Sequence, residues 1–536
     1  MEINIGIDNY KKNAIILAAG AGTRMVPINN QVHKALMKIN GEILVERIIK
    51  QLQNVGVTEI YIVVGFMKEK FEYLTEKYGV DIIVNEEYTQ KNNLHSLALA
   101  SEYISNTYIV PADIWSLETP FRNEELTSWY MVSSRVSEDS IITARDDKVL
   151  VPSNGGNVML GIAYITSNLS QILKDKLRRL DEEDKYNDAI WEEALIDGDE
   201  MLVQARFFNP NDIIEINTYE QLREFDDESN HLRSEAISVI MSALGVTNGE
   251  ITNIHVLKKG MTNRSFIFSC KDKRYIMRIP GEGTDQLINR EEEASIYSVI
   301  GGKGICDDVV YINPNNGYKI TEFLENSRVC DSNNQNDLIQ CMRKLRKFHE
   351  MKLKVNHEFD IYKQIDFYES LWNGKMSIYD DYYKTKERVF ELRRYIDVHA
   401  CEKVLTHIDA VPDNFLFSDS GSIRLIDWEY AGMQDPHVDI AMFCIYSLYD
   451  KEQIDNLIDI YFEGLCQLST RLKIYCYIAA GGLLWSNWCE YKRNLGIEFG
   501  EYSLYQYKYA KEYYEIFKKE SKVALLQKEG GIDESK

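Results

Sequence analysis

Short apolar runs alternate with amphipathic segments over the first part of the chain. Four runs rich in Ile and Val predict β-strands: AIILAAG, EIYIVVGF, DIIVNEEY and TYIVPADIW. Between them, ILVERIIKQLQNVG and FEYLTEKYG carry apolar residues at i, i+3, i+4 and i+7, a spacing that is typical of helices. Strands that alternate with helices predict a largely parallel sheet covered by helices.

The pattern changes after the charged stretch FDDESNHLRSE, which predicts a boundary near residue 230 and domains over 1–230 and 231–536. Two β-like runs follow, ITNIHVLKKG and RSFIFSCKDKRYIMRIPG, and then a helix from about Asp285. The rest reads as mostly helical and rich in Tyr. We therefore expect an α+β second domain, with one lobe over about 231–325 and another over about 326–520.

Composition narrows the class of protein. The formal net charge of -23 argues against nucleic-acid binding, which needs a basic surface. The nine cysteines lie between Cys270 and Cys489 without a C-x-x-C pair, as expected in a reducing compartment. No apolar run approaches the roughly 20 residues of a membrane span, and the N-terminus lacks the apolar stretch of a signal peptide. We expect a cytoplasmic enzyme that acts on small molecules.

A glycine-containing loop, in IILAAGAGTRM, follows the first predicted strand. Its backbone N–H groups can approach phosphate oxygens closely, and the residues concerned are Ala18, Ala19, Gly20 and Gly22. Arg24 and Lys34 add two cations, which suit a triphosphate whose pyrophosphate leaving group gains charge during reaction. A dinucleotide-binding loop is the alternative, but it needs a glycine where Met25 stands. Nucleotidyl transfer is the favoured interpretation.

Asp113 ends the predicted strand YIVPAD, at the edge of the sheet where ligands bind in open α/β folds. A carboxylate at that place can hold Mg²⁺.

Together with VHKALMKINGEILVERIIKQLQNVGVTEIYIVVGF and NNLHSLALA, the loop resembles the phosphocholine cytidylyltransferases of the sugar-nucleotidyltransferase superfamily, from about Ala14 to Phe225. The resemblance implies a mixed, mostly parallel, Rossmann-like sheet on which Gly20, Arg24 and Lys34 hold the phosphates of CTP. It further implies that Asn92 and Ser96 position the cytidine and that Asp113 is one Mg²⁺ ligand. The family often has an aspartate as second ligand, where this chain has Asn217.

The amine end of the substrate is less well defined. Asp188 matches a family aspartate near that end, although Asp is also a common helix N-cap. The region from Arg145 to Gly161 is shorter than in the family and lacks an expected tryptophan. Trp115, Tyr164 and Trp191 could rebuild an aromatic cage, or they belong to the core.

A second catalytic pattern lies in LTHIDAVPDNFLF, with His407, Asp409 and Asn414 in the order H-x-D-x-x-x-x-N. Asp427 follows in IRLIDWEYA. Phosphoryl transfer from ATP needs a carboxylate beside the attacking hydroxyl and oxygen ligands for Mg²⁺. Asp409 suits the first role, and Asn414 and Asp427 suit the second.

Further upstream, GMTNRSFIF offers a small-residue loop between two β-runs, formed by Gly260, Thr262 and Asn263. Arg278 stands where kinases keep a phosphate-binding lysine. Glu291 is the expected partner of Arg278, and Glu293 competes for that role.

These motifs resemble the choline/ethanolamine kinase and aminoglycoside phosphotransferase families over about residues 250 to 520, which implies a two-lobed protein-kinase-like fold. Trp485 and Trp488 lie three residues apart and so share a helix face. Tyr505 and Tyr502 are the nearest matches to a choline-contacting tyrosine. Aromatic faces hold a quaternary ammonium by cation–π attraction, whereas an aminoglycoside would favour acidic groups. The alternative for the tryptophan pair is a place in the core.

The two halves predict successive reactions. The chain resembles fused bacterial proteins in which choline is phosphorylated with ATP and the phosphocholine is coupled to CTP, with Mg²⁺ as cofactor. The alternatives are the same reactions on ethanolamine or another small amino alcohol, a sugar-phosphate nucleotidyltransferase fused to a small-molecule kinase, and a choline sensor with one inactive half. The sequence leaves the oligomeric state open.

Overall fold

The computed structural model describes residues 11–25, 27–28, 32–138, 140–145, 147–152, 155–209, 212–257, 263–281, 287–497 and 499–530. The chain divides into two compact units, Met1–Leu257 and Lys258–Lys536. Gly260 and Thr262 lie outside the described residues.

The first unit contains fifteen described strands and six described α-helices. The strands are β1 Asn13–Ala18, β2 Lys38–Ile39, β3 Glu42–Ile43, β4 Glu59–Val64, β5 Asp81–Val84, β6 Thr107–Pro111, β7 Ile114–Ser116, β8 Trp129–Ser137, β9 Thr143–Arg145, β10 Lys148–Leu150, β11 Gly156–Ile165, β12 Ile196–Asp197, β13 Glu200–Phe208, β14 Ile213–Glu215 and β15 Thr252–Val256. The helices are α1 Leu44–Asn54, α2 Tyr73–Tyr78, α3 Asn93–Leu99, α4 Ser167–Asp181, α5 Tyr219–Phe225 and α6 Glu235–Leu244.

The main sheet of this unit has the order β5-β4-β1-β6-β11-β8-β13-β10-β9, with β12 paired to β13. The strands from β5 to β6 are parallel, β8 and β13 are also parallel, and the remaining neighbours are antiparallel. Successive side chains of β1 enter different cores: Ile16 packs with α1 on one face and Ile15 with α3 on the other. This confirms the predicted mixed α/β sheet.

The second unit combines small antiparallel sheets with a larger set of helices. Its strands are β16 Asn263–Cys270, β17 Lys273–Pro280, β18 Val309–Ile312, β19 Lys319–Glu322, β20 Ser327–Val329, β21 Val404–Thr406, β22 Phe415–Ser418, β23 Ile423–Leu425 and β24 Gly432–Gln434. Its helices are α7 Arg290–Ile300, α8 Gln335–Glu350, α9 Ile361–Ser370, α10 Tyr382–Glu391, α11 Arg393–His399, α12 Val438–Tyr446, α13 Lys451–Phe462, α14 Leu468–Asn494 and α15 Glu501–Gly530.

An antiparallel sheet in the order β16-β17-β19-β18 forms the strand-rich part of this unit, and helices form the rest. Helix α14 is buried on all sides from Leu472 to Lys492, so it is the centre of the helical part. Among the described residues, no helix is long and apolar enough to cross a membrane.

Candidate active sites

The phosphate loop of the first unit follows β1 directly. Gly22 has φ +55°, in the left-handed region, and a Cβ at that position would lie 3.3 Å from the Cβ of Lys34. A side chain at position 22 would therefore strain the backbone and press on Lys34. The glycine keeps the loop close to the lysine that the sequence assigned to the same site.

Lys34 lies at the centre of a polar cluster. Its Nζ donates to Asp113 Oδ2 and to Asn217 Oδ1, and Arg24 Nη2 donates to Asn217 Oδ1 at 3.1 Å. Asp113 follows β6 and Asn217 follows β14, so three separate segments meet here. Four residues predicted from distant parts of the sequence are thus brought together.

The donor set of this cluster fits a divalent cation. Asp113 Oδ1 is buried and has no hydrogen-bond partner among the described residues. Burial, and next the charge of Asp113, raise the pKa of Glu215 above its usual range. Two neighbouring carboxylates with a free oxygen suit Mg²⁺, which prefers oxygen ligands. Glu215 was missed from the sequence, although it stands only two residues before Asn217.

His33 fixes the position of Lys34. His33 Nδ1 accepts a hydrogen bond from the backbone N–H of Ala35 at 3.1 Å, which caps the short helical turn that contains Lys34. Burial lowers the pKa of His33 to about 4, so the ring is neutral near pH 7 and can accept this bond.

A cavity of about 510 Å³ opens beside this cluster. The predicted residues that line it are Ala18, Ala19, Gly20, Gly22, Arg24, Lys34, Asn92, Ser96 and Asp113. Asn92 caps α3 and donates through Nδ2 to the backbone oxygen of Asp188 at 3.0 Å, while Ser96 Oγ accepts from Asn85 Nδ2 at 3.0 Å. Asn217 lines a neighbouring cavity of about 460 Å³. Glu215 lines both cavities.

The structure corrects the expectation for the amine end. The side chain of Asp188 is exposed and does not line the cavity. Its contact with the predicted site is made by its backbone oxygen, which accepts the hydrogen bond from Asn92. Trp191 and Glu192 line the wall instead. Tyr130 donates to Glu192 Oε1 at 2.9 Å, and Glu192 Oε2 is buried without a partner in the described chain. Burial raises the pKa of Glu192 to about 7.

The other two candidate aromatic residues lie outside the 510 Å³ cavity. Trp115 packs under the guanidinium of Arg47, whose Cζ is 4.3 Å from the ring centroid, and Tyr164 packs against Tyr108 in the core. Trp191 alone of the three reaches the cavity.

In the second unit, the catalytic loop is held by a buried aspartate. Asp439, on α12, accepts from the backbone N–H of His407 at 2.9 Å and from that of Ile408 at 2.7 Å. His349 Nε2, on α8, lies 2.9 Å from the same carboxylate. Ile408 has φ +69°, a strained value for a β-branched residue. These bonds stabilise the strained loop that precedes Asp409.

Asp409, Asn414 and Asp427 meet as the sequence predicts. Asn414 Nδ2 donates to Asp409 Oδ2 at 3.0 Å and to its backbone oxygen at 2.9 Å, and the hairpin of β22 and β23 brings Asp427 alongside. Burial, and then the charge of Asp427, raise the pKa of Asp409 to about 7. Since the Asn414 amide nitrogen faces Asp409, the amide oxygen is available as a ligand. Two carboxylates and an amide oxygen again fit Mg²⁺.

The predicted pairing of Arg278 with Glu291 is wrong. Arg278 Nη1 and Nη2 donate to Glu293 Oε1 and Oε2 at 2.5 and 2.7 Å, whereas Glu291 is exposed. The physical reason is helix phase: Asn289 caps α7 through the N–H groups of Glu291 and Glu292, so Glu291 lies in the first turn toward solvent. Asn263 begins β16.

An aromatic cluster lies beside the Asp409 loop. Trp485 and Trp488 of α14 have centroids 6.0 Å apart, Tyr430 lies 5.5 Å from Trp485, and Phe499 lies 5.0 Å from Trp488. We call these four residues the aromatic cluster. Tyr430 is partly buried. Burial raises the pKa of Tyr430 well above its usual range, and the charges of Asp409 and Asp427 contribute. The cluster is therefore close to the predicted catalytic carboxylate.

Of the two tyrosines, Tyr502 lies toward Asp409 and Tyr505 does not. Burial raises the pKa of Tyr502 well above its usual range, and the charge of Asp409 contributes. Its ring packs 6.1 Å from that of Tyr446, which donates to Asp413 at 2.8 Å. Tyr505 is 37% exposed, with Lys508 over its ring. Their positions on α15 could not be separated by sequence spacing alone.

Two known families match different parts of the chain. Residues 14–188 match the MobA-like NTP transferase domain family, and residues 254–463 match the choline/ethanolamine kinase family. The first unit is thus a nucleotidyltransferase, and the second is similar to choline/ethanolamine kinases.

Three relatives narrow the family assignment of the two units. A choline-phosphate cytidylyltransferase from Streptococcus pneumoniae is 32% identical over 221 residues, covering 40% of this chain and 96% of the relative. Protein LicA from Haemophilus influenzae is 29% identical over 262 residues, covering 46% of this chain and 75% of the relative. A 2-aminoethylphosphonate cytidylyltransferase from Lancefieldella rimae is 32% identical over 200 residues, covering 35% of this chain and 81% of the relative. The chain belongs to the choline-phosphate cytidylyltransferase family and carries a second unit similar to choline/ethanolamine kinases, which confirms both resemblances.

Proposed function

We propose that this protein is a bifunctional enzyme. Its second unit phosphorylates choline with ATP, and its first unit transfers CMP from CTP to the phosphocholine, giving CDP-choline and pyrophosphate. The observation that carries the proposal is the half-buried Asp409 with Asn414 and Asp427, beside the aromatic cluster. A second independent site, around Lys34, suits the reaction that would consume the product.

For phosphorylation, Asp409 accepts the proton of the choline hydroxyl as that oxygen attacks the γ-phosphorus of ATP. The bond from this phosphorus to the β–γ bridging oxygen breaks, and ADP leaves. Its bonds with Asn414 orient the carboxylate, and the pKa of about 7 gives it useful basicity near neutral pH. Mg²⁺ held by Asn414 and Asp427 would neutralise charge on the ATP phosphates. Arg278, fixed by Glu293, supplies a further positive charge at the nucleotide.

For cytidylyl transfer, no strong base is required. The phosphate monoester of phosphocholine is mostly dianionic at pH 7 and can attack the α-phosphorus of CTP directly. Catalysis then consists of alignment and charge stabilisation. Lys34 and Arg24 hold the triphosphate and the departing pyrophosphate, while Asn92 and Ser96 position the cytidine. Asp113, Glu215 and Asn217 would hold Mg²⁺, which screens phosphate charge.

A ³¹P NMR time course tests both reactions in one tube. The full-length protein is incubated with choline, ATP, CTP and Mg²⁺. We expect a phosphocholine signal that rises and then gives way to CDP-choline. The absence of a phosphate monoester would overturn the kinase assignment. Phosphocholine that accumulates without CDP-choline would overturn the transferase assignment.

A different amine substrate is the second candidate. The short region from Arg145 to Gly161 lacks an aromatic residue expected beside the amine, and one relative carries the name 2-aminoethylphosphonate cytidylyltransferase. Parallel incubations with ethanolamine, and with 2-aminoethylphosphonate and CTP alone, distinguish these substrates. Preferential turnover of ethanolamine would keep both reaction types and change the substrate. Preferential turnover of 2-aminoethylphosphonate would keep the CTP reaction, and it would mean that the second unit does not supply its substrate.

A further inference from the structure

Lys492 is a buried lysine without a hydrogen-bond acceptor in the described part of the chain. It lies in the last turns of α14 and is 7% exposed. Its Nζ lies 5.4 Å from the ring centroid of Trp488 and 5.9 Å from that of Tyr491. The stem of this side chain is buried, while its ammonium keeps some contact with solvent and lies against two aromatic faces. Aromatic faces attract a cation at this distance.

The charged groups around Lys492 also indicate that Trp488 is its main contact. Burial lowers the pKa of Lys492, and the negative charge of Glu429 acts in the opposite direction. Glu429 already lies 4.0 Å from Arg278 and 3.9 Å from Arg290, so it is not dedicated to Lys492. The contact with Trp488 is therefore the main short-range interaction of this ammonium.

Helix geometry explains the contact. Lys492 follows Trp488 by four residues, so the two side chains share one face of α14, and a lysine stem reaches the ring of the preceding turn. Trp488 belongs to the aromatic cluster beside Asp409, and the sequence predicts that its tryptophan pair holds the ammonium of choline. Two cations at one ring repel each other, so both cannot occupy it without loss.

We infer that Lys492 is an internal competitor of the substrate: its ammonium occupies the cation site on Trp488 in the free enzyme and must leave when the acceptor amine binds. The inference rests on the proposed kinase function of the second unit. A four-carbon stem can move its ammonium off the ring while α14 stays in place. Because the same displacement precedes binding of any cationic acceptor, it weakens binding of each by the same factor.

Replacement of the cation tests this inference. In Lys492→Met, a side chain of similar length fills the space without charge. We expect the KM values for choline and for ethanolamine to fall by one common factor of about 2 to 30, which corresponds to about 0.5–2 kcal/mol for a cation–π contact. We expect kcat to stay within about twofold. Lys492→Arg keeps the charge and should resemble the wild type. Lys518→Met is the matched control, because Lys518, an exposed lysine of α15, has its Nζ 5.6 Å from the ring centroid of Tyr514 and lies outside the aromatic cluster.

Binding of tetramethylammonium, followed by tryptophan fluorescence without nucleotide, gives a second readout. Its Kd should fall in Lys492→Met by the same factor as the KM values. An unchanged or raised KM and Kd would overturn the inference. So would a fall in kcat above tenfold, or a change for one amine alone, since either means that Lys492 contacts the reacting groups. If neither amine is phosphorylated, the proposed function fails, and the tetramethylammonium titration still decides whether Lys492 competes.

Discussion

Arg278 and Glu293 form a two-pronged ion pair in which the side chains are 6% and 0% exposed. Burial alone would raise the pKa of Glu293, but the charge of Arg278, with those of Lys319 and Arg290, lowers it to about 2. The carboxylate is therefore ionised throughout the neutral range.

Breaking this pair should impair the second unit. Glu293→Gln leaves Arg278 buried without its counter-charge, which costs about 3–5 kcal/mol when one partner of a buried pair is removed. We expect a lower melting temperature for the second unit and a raised KM for ATP. Differential scanning calorimetry and kinase assays measure both. Glu291→Gln is the matched control and should change neither; equal losses in the two variants would contradict the pairing.

The two active sites should be separable by mutation. Asp409→Asn removes the proton acceptor and should lower choline phosphorylation by about 10²–10⁴-fold. It should leave CDP-choline formation from supplied phosphocholine unchanged. Conversely, Lys34→Met should abolish the CTP reaction and spare phosphorylation. Loss of both activities in either folded variant would contradict two independent sites.

Asn217→Asp should strengthen Mg²⁺ binding in the first unit. The new carboxylate would face Lys34 and Arg24 and would add one negative charge at the metal site. We expect the Mg²⁺ concentration for half-maximal cytidylyl transfer to fall about three- to tenfold, since one such charge is worth on the order of 1 kcal/mol under solvent screening. A higher requirement would mean that Asn217 serves only to position Lys34.

Tyr502 and Tyr505 should differ in their effect on choline. Tyr502→Ala should raise the KM for choline about 2- to 30-fold, because it removes an aromatic face near Asp409. Tyr505→Ala should change it less than about twofold, since that side chain is 37% exposed. Steady-state kinetics at saturating ATP measure both variants. The reverse order would restore the sequence-based choice of Tyr505.

The raised pKa of Glu192 should make the free energy of unfolding of the first unit depend on pH. Its folded-state pKa is raised from 4.5 to about 7 by burial, so folding opposes its ionisation. The penalty is absent below pH 4.5, grows as the pH rises to about 7, and is then constant at about 3 kcal/mol. Glu192→Gln should therefore be more stable than the wild type at pH 8 and similar at pH 4.5. Thermal unfolding of both proteins between pH 4.5 and pH 8 measures this difference in stability. A difference that does not change with pH would contradict the assigned pKa of Glu192.

The sequence predicts those features of the fold and the sites that depend on short-range sequence patterns. The strand before Gly20, the H-x-D-x-x-x-x-N loop and the hairpin to Asp427 are all set by short-range patterns, and the structure contains them. It could not predict features set by packing. The choice of Glu293 over Glu291 depends on where α7 begins, at Arg290 rather than near Asp285. Glu192 and Glu215 look like ordinary surface acids in the sequence, but the fold buries Glu192 and partly buries Glu215 beside Asp113.

Asp439 makes the geometry of the catalytic segment in the second unit depend on how two helices pack. The shape of the His407–Asp409 segment comes from a carboxylate on α12, steadied in turn by His349 on α8. Both side chains are buried among the packed helices. Substitutions that merely shift α12 against α8 will therefore register as loss of catalysis in a protein that still folds. A survey of inactivating variants should find many of them in these two helices, at positions whose side chains take no part in the reaction.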